Sequence, residues 1–215
     1  MKWRVDKGRE EFYREKKRKL WEVYWRDNDG TDIYRPNGFA EYPDEIYDLF
    51  LSLIDHGGKV LDLGCGNGLM LRHLVQNSEF EPEPHGVDFI EESIRQAREV
   101  VLPQFADNFS VANIVDVELE PSSFDFIFFD PYDVHPADIP SVVERILGAC
   151  KVGGKVIFYT YRDVLEALGM EWVGDFLPDE LSRELKRIDH PEVSVGVYTR
   201  KNVVPIHDLS RRLAV

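Results

Sequence analysis

The chain has 215 residues, of which 43% are hydrophobic and 31% charged, enough for one ordinary domain with a short extension but not for two independent domains. Its net charge of −14 argues against a surface built generally for nucleic acid, because polyanions seek basic patches. Two cysteines, Cys65 and Cys150, make neither a CxxC pair nor a disulfide framework, and no apolar run reaches the roughly 18 residues of a membrane span, so a cytoplasmic protein without spans is expected.

The first predicted element is a charged helix within residues 1–25. Residues 1–19 carry nine basic and four acidic groups, a local balance of +5 that leaves −19 for the rest. Such a run is either a solvated helix face or a basic arm for RNA. Tyr13, Leu20, Trp21 and Tyr24 share one side of the helix, and Trp25 and Tyr34 follow. This aromatic set would pack the extension onto the domain and could also serve as a lid over its pocket, two compatible roles. Asp27 to Asp32 lacks the ligand positions of a calcium loop and reads as a turn, as does Pro36-Asn37-Gly38. Residues 1–42 are therefore expected to form a helical extension.

From Pro43 a helix carries Ile46, Phe50, Leu51 and Ile54 to a stop at Gly57-Gly58. Strands then alternate with amphipathic helices. Lys59 to Leu63 is the first strand, followed by a glycine loop and a helix through Leu69, Leu71, Leu74 and Val75. His85 to Asp88 is the second, before a helix over Glu91 to Val101 whose Ile94, Ala97 and Val101 face inward. Phe109 to Val111 is the third, and the apolar run Phe124 to Phe129 the fourth, suited to a sheet centre covered on both faces. A helix over Ile139 to Ala149 leads through Gly153-Gly154 to a fifth strand, Val156 to Thr160. One or two helices between Asp163 and Ile188 precede a strand over Val193 to Thr199. This alternation predicts an α/β, doubly wound, mostly parallel Rossmann-like sheet over residues 43–201, with 202–215 as an edge element or tail.

In such a sheet the ligand sits beyond the carboxyl ends of the strands. The loop there reads Asp62-Leu63-Gly64-Cys65-Gly66-Asn67-Gly68, a GxGxG pattern with Leu69 where a dinucleotide fingerprint needs its last glycine. That departure disfavours the alternative of an NAD-dependent oxidoreductase.

Val60 to Gly68 resembles the first motif of the class I S-adenosylmethionine-dependent methyltransferases, and Gly86-Val87-Asp88-Phe89 with Ser93, Ile94 and Ala97 resembles their second. Phe124-Asp125 and Lys151-Val152-Gly153-Gly154 extend the resemblance over residues 43–160, with Val152 where the family usually has proline. It implies S-adenosyl-L-methionine as cofactor. Gly64, Cys65, Gly66 and Gly68 would form its loop, and Asp62 would help hold its ammonium. Asp88, beside Phe89, would accept from the ribose hydroxyls, although a helix cap is its ordinary alternative. Asn113 would meet the adenine amino group, where the family often has aspartate, and Ile114 would pack on the ring.

Methyl transfer asks for alignment, a dry site and an acceptor for the proton. The loop after the fourth strand reads Asp130-Pro131-Tyr132-Asp133-Val134-His135. Asp130-Pro131-Tyr132 is similar to the Asp/Asn-Pro-Pro-Tyr signature of nitrogen methyltransferases with one proline missing, and to the Asp-Thr-Tyr of guanidino methyltransferases. Asp130, Tyr132 and His135 are the catalytic candidates, with Asp133 as a further base or substrate contact. A strand-end turn is the plain alternative for Asp130, and solvation for His135. Both loop resemblances point towards a nitrogen acceptor over oxygen or carbon, and the acidic body favours a small molecule or protein side chain; RNA would have to use residues 1–19. No metal-ligand spacing occurs.

Overall fold

The computed structural model describes residues 8–21 and 44–201, apart from the side chains of Leu20, Trp21 and Asp44. Tyr24, Trp25, Tyr34, the two turns proposed between residues 27 and 38, and the proposed tail at 202–215 lie outside the described residues.

Among the described residues, seven strands form one sheet in the order β3-β2-β1-β4-β5-β7-β6. They are β1 (Lys59–Leu63), β2 (Glu83–Asp88), β3 (Phe109–Val111), β4 (Phe124–Phe129), β5 (Cys150–Tyr161), β6 (Lys186–Asp189) and β7 (Val193–Thr199). The first five run parallel, whereas β7 is antiparallel to both β5 and β6. The helices are α1 (Arg9–Trp21), α2 (Asp44–Leu51), α3 (Leu69–Asn77), α4 (Glu91–Gln96), α5 (Ile139–Ala149), α6 (Arg162–Leu168) and α7 (Asp179–Glu184). The expected α/β, mostly parallel architecture is what forms.

The side-chain period of two divides β4 between two cores. Phe126 and Phe128 join Ile46, Phe50, Leu71 and Ile94 from α2, α3 and α4 on one face. Ile127 and Phe129 join Val142, Val143 and Ile146 from α5 on the other. These four β4 residues are fully buried, which explains why positions 126–129 are an unbroken apolar run rather than an alternating one. Phe128 touches the Phe50 ring with centroids 5.4 Å apart. Phe128→Ala is therefore expected to lower the unfolding free energy by about 3–5 kcal/mol in urea titrations.

β2 begins two residues earlier than expected, at Glu83, and three further elements depart more from expectation. The inward residues Ile94, Ala97 and Val101 are buried as expected, but α4 ends at Gln96 and a wider π-type turn covers Ala97–Val101. The fifth strand starts at Cys150 rather than Val156, because Gly153, at φ +84°, lets the chain bulge without leaving the sheet. β6 was not foreseen: Lys-Arg-Ile-Asp has no alternating apolar face, and charge suits an edge strand.

The strand order reverses between β1 and β4, whose last residues, Leu63 and Phe129, are paired. Leu63 also pairs with Val87, and Phe129 with Phe158. The loops following β1, β2 and β4 therefore open side by side at one edge of the sheet, beside the end of β5.

Candidate active site

The loop after β1 is tied to β2 by its backbone: the Gly64 and Cys65 N–H groups both donate to the Val87 carbonyl, at 2.8 and 3.0 Å. Gly64 and Gly66 have φ of +91° and +53°, a region that strains residues with a side chain. A Cβ on Gly64 would stand 3.0 Å from an Asp133 carboxylate oxygen and 3.7 Å from Ile114 Cδ1, so three loops meet here. Gly64→Ala is expected to weaken binding of S-adenosylhomocysteine at least tenfold by calorimetry; unchanged affinity would show that the close approach is irrelevant to the ligand.

These loops enclose a cavity of about 320 Å³, within the ordinary range for small-molecule sites. Of the residues expected at a site, Asp62, Gly64, Cys65, Gly66, Asp88, Phe89, Asn113, Ile114, Asp130 and Tyr132 line it, together with Asp133. Gly68 and His135 do not. Gly68 instead starts α3 beneath the Phe109 ring. His135 is buried, but its Nδ1 accepts the Ala137 N–H at 3.2 Å and its ring packs edge-on against Phe12, 5.4 Å between centroids. Both residues shape the neighbourhood from outside the cavity.

Asp62 is 3% exposed, and its Oδ1 has no hydrogen-bond partner among the described residues. Burial, then the charges of Asp88 and Asp133, push its carboxyl up to about 8. A buried acceptor in this state calls for a cationic or donor ligand. Asp88 has both oxygens engaged: Oδ1 accepts the Ile90 N–H at 2.7 Å and Oδ2 the Gly66 N–H at 2.9 Å. It thus does serve as a backbone cap, while each oxygen keeps a second lone pair towards the cavity it lines. Burial raises its carboxyl to about 6, against the pull of those backbone bonds. Asn113 turns its Oδ1 to the Val115 N–H at 3.2 Å, and the Ile114 carbonyl accepts from Arg145 at 2.8 Å, which fixes this third wall.

On the fourth wall, Asp130 is 7% exposed and its Oδ1 accepts the Tyr132 N–H at 2.9 Å. Here too the turn and the site coincide. Burial, followed by the charge of Asp133, holds the Asp130 carboxyl well above the ordinary range, and Lys16 works against both.

Lys16 was not foreseen as a site residue. Arg9, Phe12, Tyr13 and Lys16 fall at helical spacings of three, four and seven, a single face of α1. Tyr13 donates to Asp138 at 2.8 Å and accepts the His135 N–H at 3.0 Å, and Arg9 pairs with Asp138 at 3.0 Å. Lys16 and Tyr13 thereby become part of the cavity wall. That spacing was visible in the sequence, but the basic residues masked it as an ordinary charged run. Tyr159 and Tyr161, at the end of β5, also line the cavity and were not singled out.

With this geometry in view, relatives of known class can be placed. A methyltransferase-domain family model matches residues 54–193, more than half of the chain, and the chain belongs to that family. It is an S-adenosylmethionine-dependent methyltransferase domain of class I. Tocopherol O-methyltransferase of Arabidopsis thaliana is 25% identical over 174 residues, covering 72% of this chain and 49% of that protein. A protein-lysine N-methyltransferase of Saccharomyces cerevisiae is 31% identical over 119 residues, 54% of this chain and 48% of that one. The chain thus spans about half the length of these relatives. Among solved structures, a protein from Pyrococcus horikoshii OT3 superposes with a TM-score of 0.60 at 22% identity, over 86% of this chain and 99% of that one. An RNA methyltransferase from Salinibacter ruber, in complex with S-adenosyl-L-homocysteine, does so at 0.54 and 16%, over 76% and 95%. Likenesses at such identities speak for the fold. Among the described residues, no helix is long and apolar enough to cross a membrane.

Proposed function

We propose that this protein transfers a methyl group from S-adenosyl-L-methionine to a nitrogen of a small molecule or a protein side chain. The observation that carries the reading is the charge of the cavity: Asp62, Asp88, Asp130 and Asp133 line it, and Lys16 is the only cation among its described lining residues. Such a wall favours cationic partners, both a sulfonium donor and an acceptor that gains positive charge as its nitrogen forms a bond.

When bound, the donor supplies an electrophilic methyl group. The chain's residues do the rest. The orphaned Asp62 oxygen suits an ammonium, and the positive-φ glycine loop lets backbone come close. Asp88 offers lone pairs to a ribose, and Asn113 and Ile114 form the wall suited to a base. Asp130 would take the proton that the acceptor nitrogen gives up, and the Tyr132 ring would help to exclude water.

Two cations of the basic extension are engaged with the chain's own loop, Arg9 with Asp138 and Lys16 with Asp133. This supports a helix that closes the site over an arm that presents charge to RNA. The test is methyl transfer to matched amine, phenol and RNA acceptors, with the product atom assigned by NMR. Methylated nitrogen is expected; exclusive methylation of oxygen, or RNA methylation lost on deleting residues 1–19, would overturn the acceptor assignment.

A further inference from the structure

Lys16 reaches from α1 into the cavity and ends in a set of groups that together recognise an ammonium. Its Nζ lies 2.6 Å from Asp133 Oδ1 and donates to the Tyr132 carbonyl at 2.7 Å. It stands over the Tyr132 ring, 4.3 Å from the centroid, and 5.7 Å from that of Phe12. Carboxylate, carbonyl and aromatic face are complementary to a compact cation on an alkyl stem. The Lys16 side chain is only 14% exposed and Asp133 31%, so the ammonium is shielded more than it would be at the surface.

This set belongs to the loop that begins with Asp130, the residue assigned above to proton removal. An amine held where Lys16 Nζ now sits would have Asp130 and Asp133 on the same loop and the ring of Tyr132 beneath it. A solvated salt bridge has no need of such a location. A side chain merely fastening α1 would also be redundant, since Arg9 and Tyr13 already anchor the helix to Asp138.

We propose that Lys16 holds the place of the methyl acceptor: the subsite formed by Asp133, the Tyr132 carbonyl and the Tyr132 ring recognises a primary alkylammonium group, and acceptor binding expels Lys16 and loosens α1. This rests on the methyltransferase reading of the cavity. The acceptor is then a lysine-like primary amine, free or on a peptide.

The test uses the full chain saturated with S-adenosylhomocysteine, with n-butylammonium as the probe and n-butanol and butyrate as controls. Lys16→Met, which keeps an apolar stem and removes the charge, and Lys16→Ala are expected to bind n-butylammonium at least tenfold more tightly than the wild type by calorimetry. Neither control should gain. Adding Asp133→Asn to Lys16→Met should abolish the gain. In the wild-type chain, saturating n-butylammonium should increase hydrogen exchange across residues 9–19, and this readout decides the matter if the variants do not fold. A lysine-containing peptide that acts at lower concentration than free n-butylammonium assigns the acceptor to a protein side chain; the reverse assigns it to a small amine. Wild-type chain that binds S-adenosylhomocysteine while neither tightening in the variants nor exchange in α1 is seen sinks this proposal alone. Wild-type chain that fails to bind S-adenosylhomocysteine sinks the cavity reading beneath it.

Discussion

Asp130→Asn is expected to lower kcat by about 10²–10⁴-fold, while S-adenosylhomocysteine affinity stays within about threefold of wild type. Asparagine keeps the shape of the side chain, and its oxygen can still accept the Tyr132 N–H that now binds Asp130 at 2.9 Å. The turn is therefore preserved, and only the ability to receive a proton is removed. Burial and Asp133 raise the Asp130 carboxyl towards the pH at which a base must both hold and release protons, and the Lys16 ammonium moderates the rise. Single-turnover rates should climb with pH as this carboxyl ionises, and that limb should vanish in the variant. A variant that keeps a tenth or more of wild-type kcat would remove Asp130 from the chemistry.

Asp62→Asn should move stability and binding in opposite directions. In the folded chain the Asp62 carboxyl keeps its proton to about pH 8, whereas an unstructured aspartate releases it near 3.8. Between these values the folded state binds the extra proton, so its contribution to stability is complete below about pH 4 and is lost as pH rises towards 8. Asparagine carries no such charge. The unliganded variant should therefore melt higher than wild type at pH 8–9, and the advantage should shrink towards pH 4. The same change removes the counter-charge for an ammonium, a hydrogen bond to an ion of roughly 1.5–3 kcal/mol, and should weaken S-adenosylhomocysteine about 10–100-fold. Equal affinity in calorimetry would exclude Asp62 from the ligand. Proton release on binding, read from the buffer dependence of the heat, should shrink when this carboxyl is removed, with Asp88 and Asp130 still contributing.

The parts of the fold legible in the sequence are those in which local pattern and tertiary environment agree. β1, β3, β4, α5 and β7 occupy the residues that their apolar patterns indicate. β6 was hidden because an edge strand can be as charged as Lys-Arg-Ile-Asp and still pair through its backbone. The start of β5 was hidden because Gly153-Gly154 signals a break, whereas here a glycine bulge continues the strand. In the cavity, the residues carried on loops after strand ends were legible through their order along the chain. Lys16 was not, since the partner that gives it meaning lies 117 positions later in Asp133. His135 stands apart: the sequence singles it out as a loop histidine beside a site motif, and in the structure it lies outside the cavity lining, with a backbone N–H at Nδ1 and the Phe12 ring among its contacts.

The antiparallel insertion of β7 between β5 and β6 sets a condition on synthesis. Among the described strands β6 pairs only with β7, so although it is made first it has no place in the sheet until residues 193–199 have left the ribosome. Until then the long β5 stays an open edge, its interior residues Val156, Ile157 and Phe158 awaiting cover. A nascent chain of this design passes through a sticky interval that closes only once β7 has been made, when one strand seals β5 and recruits β6.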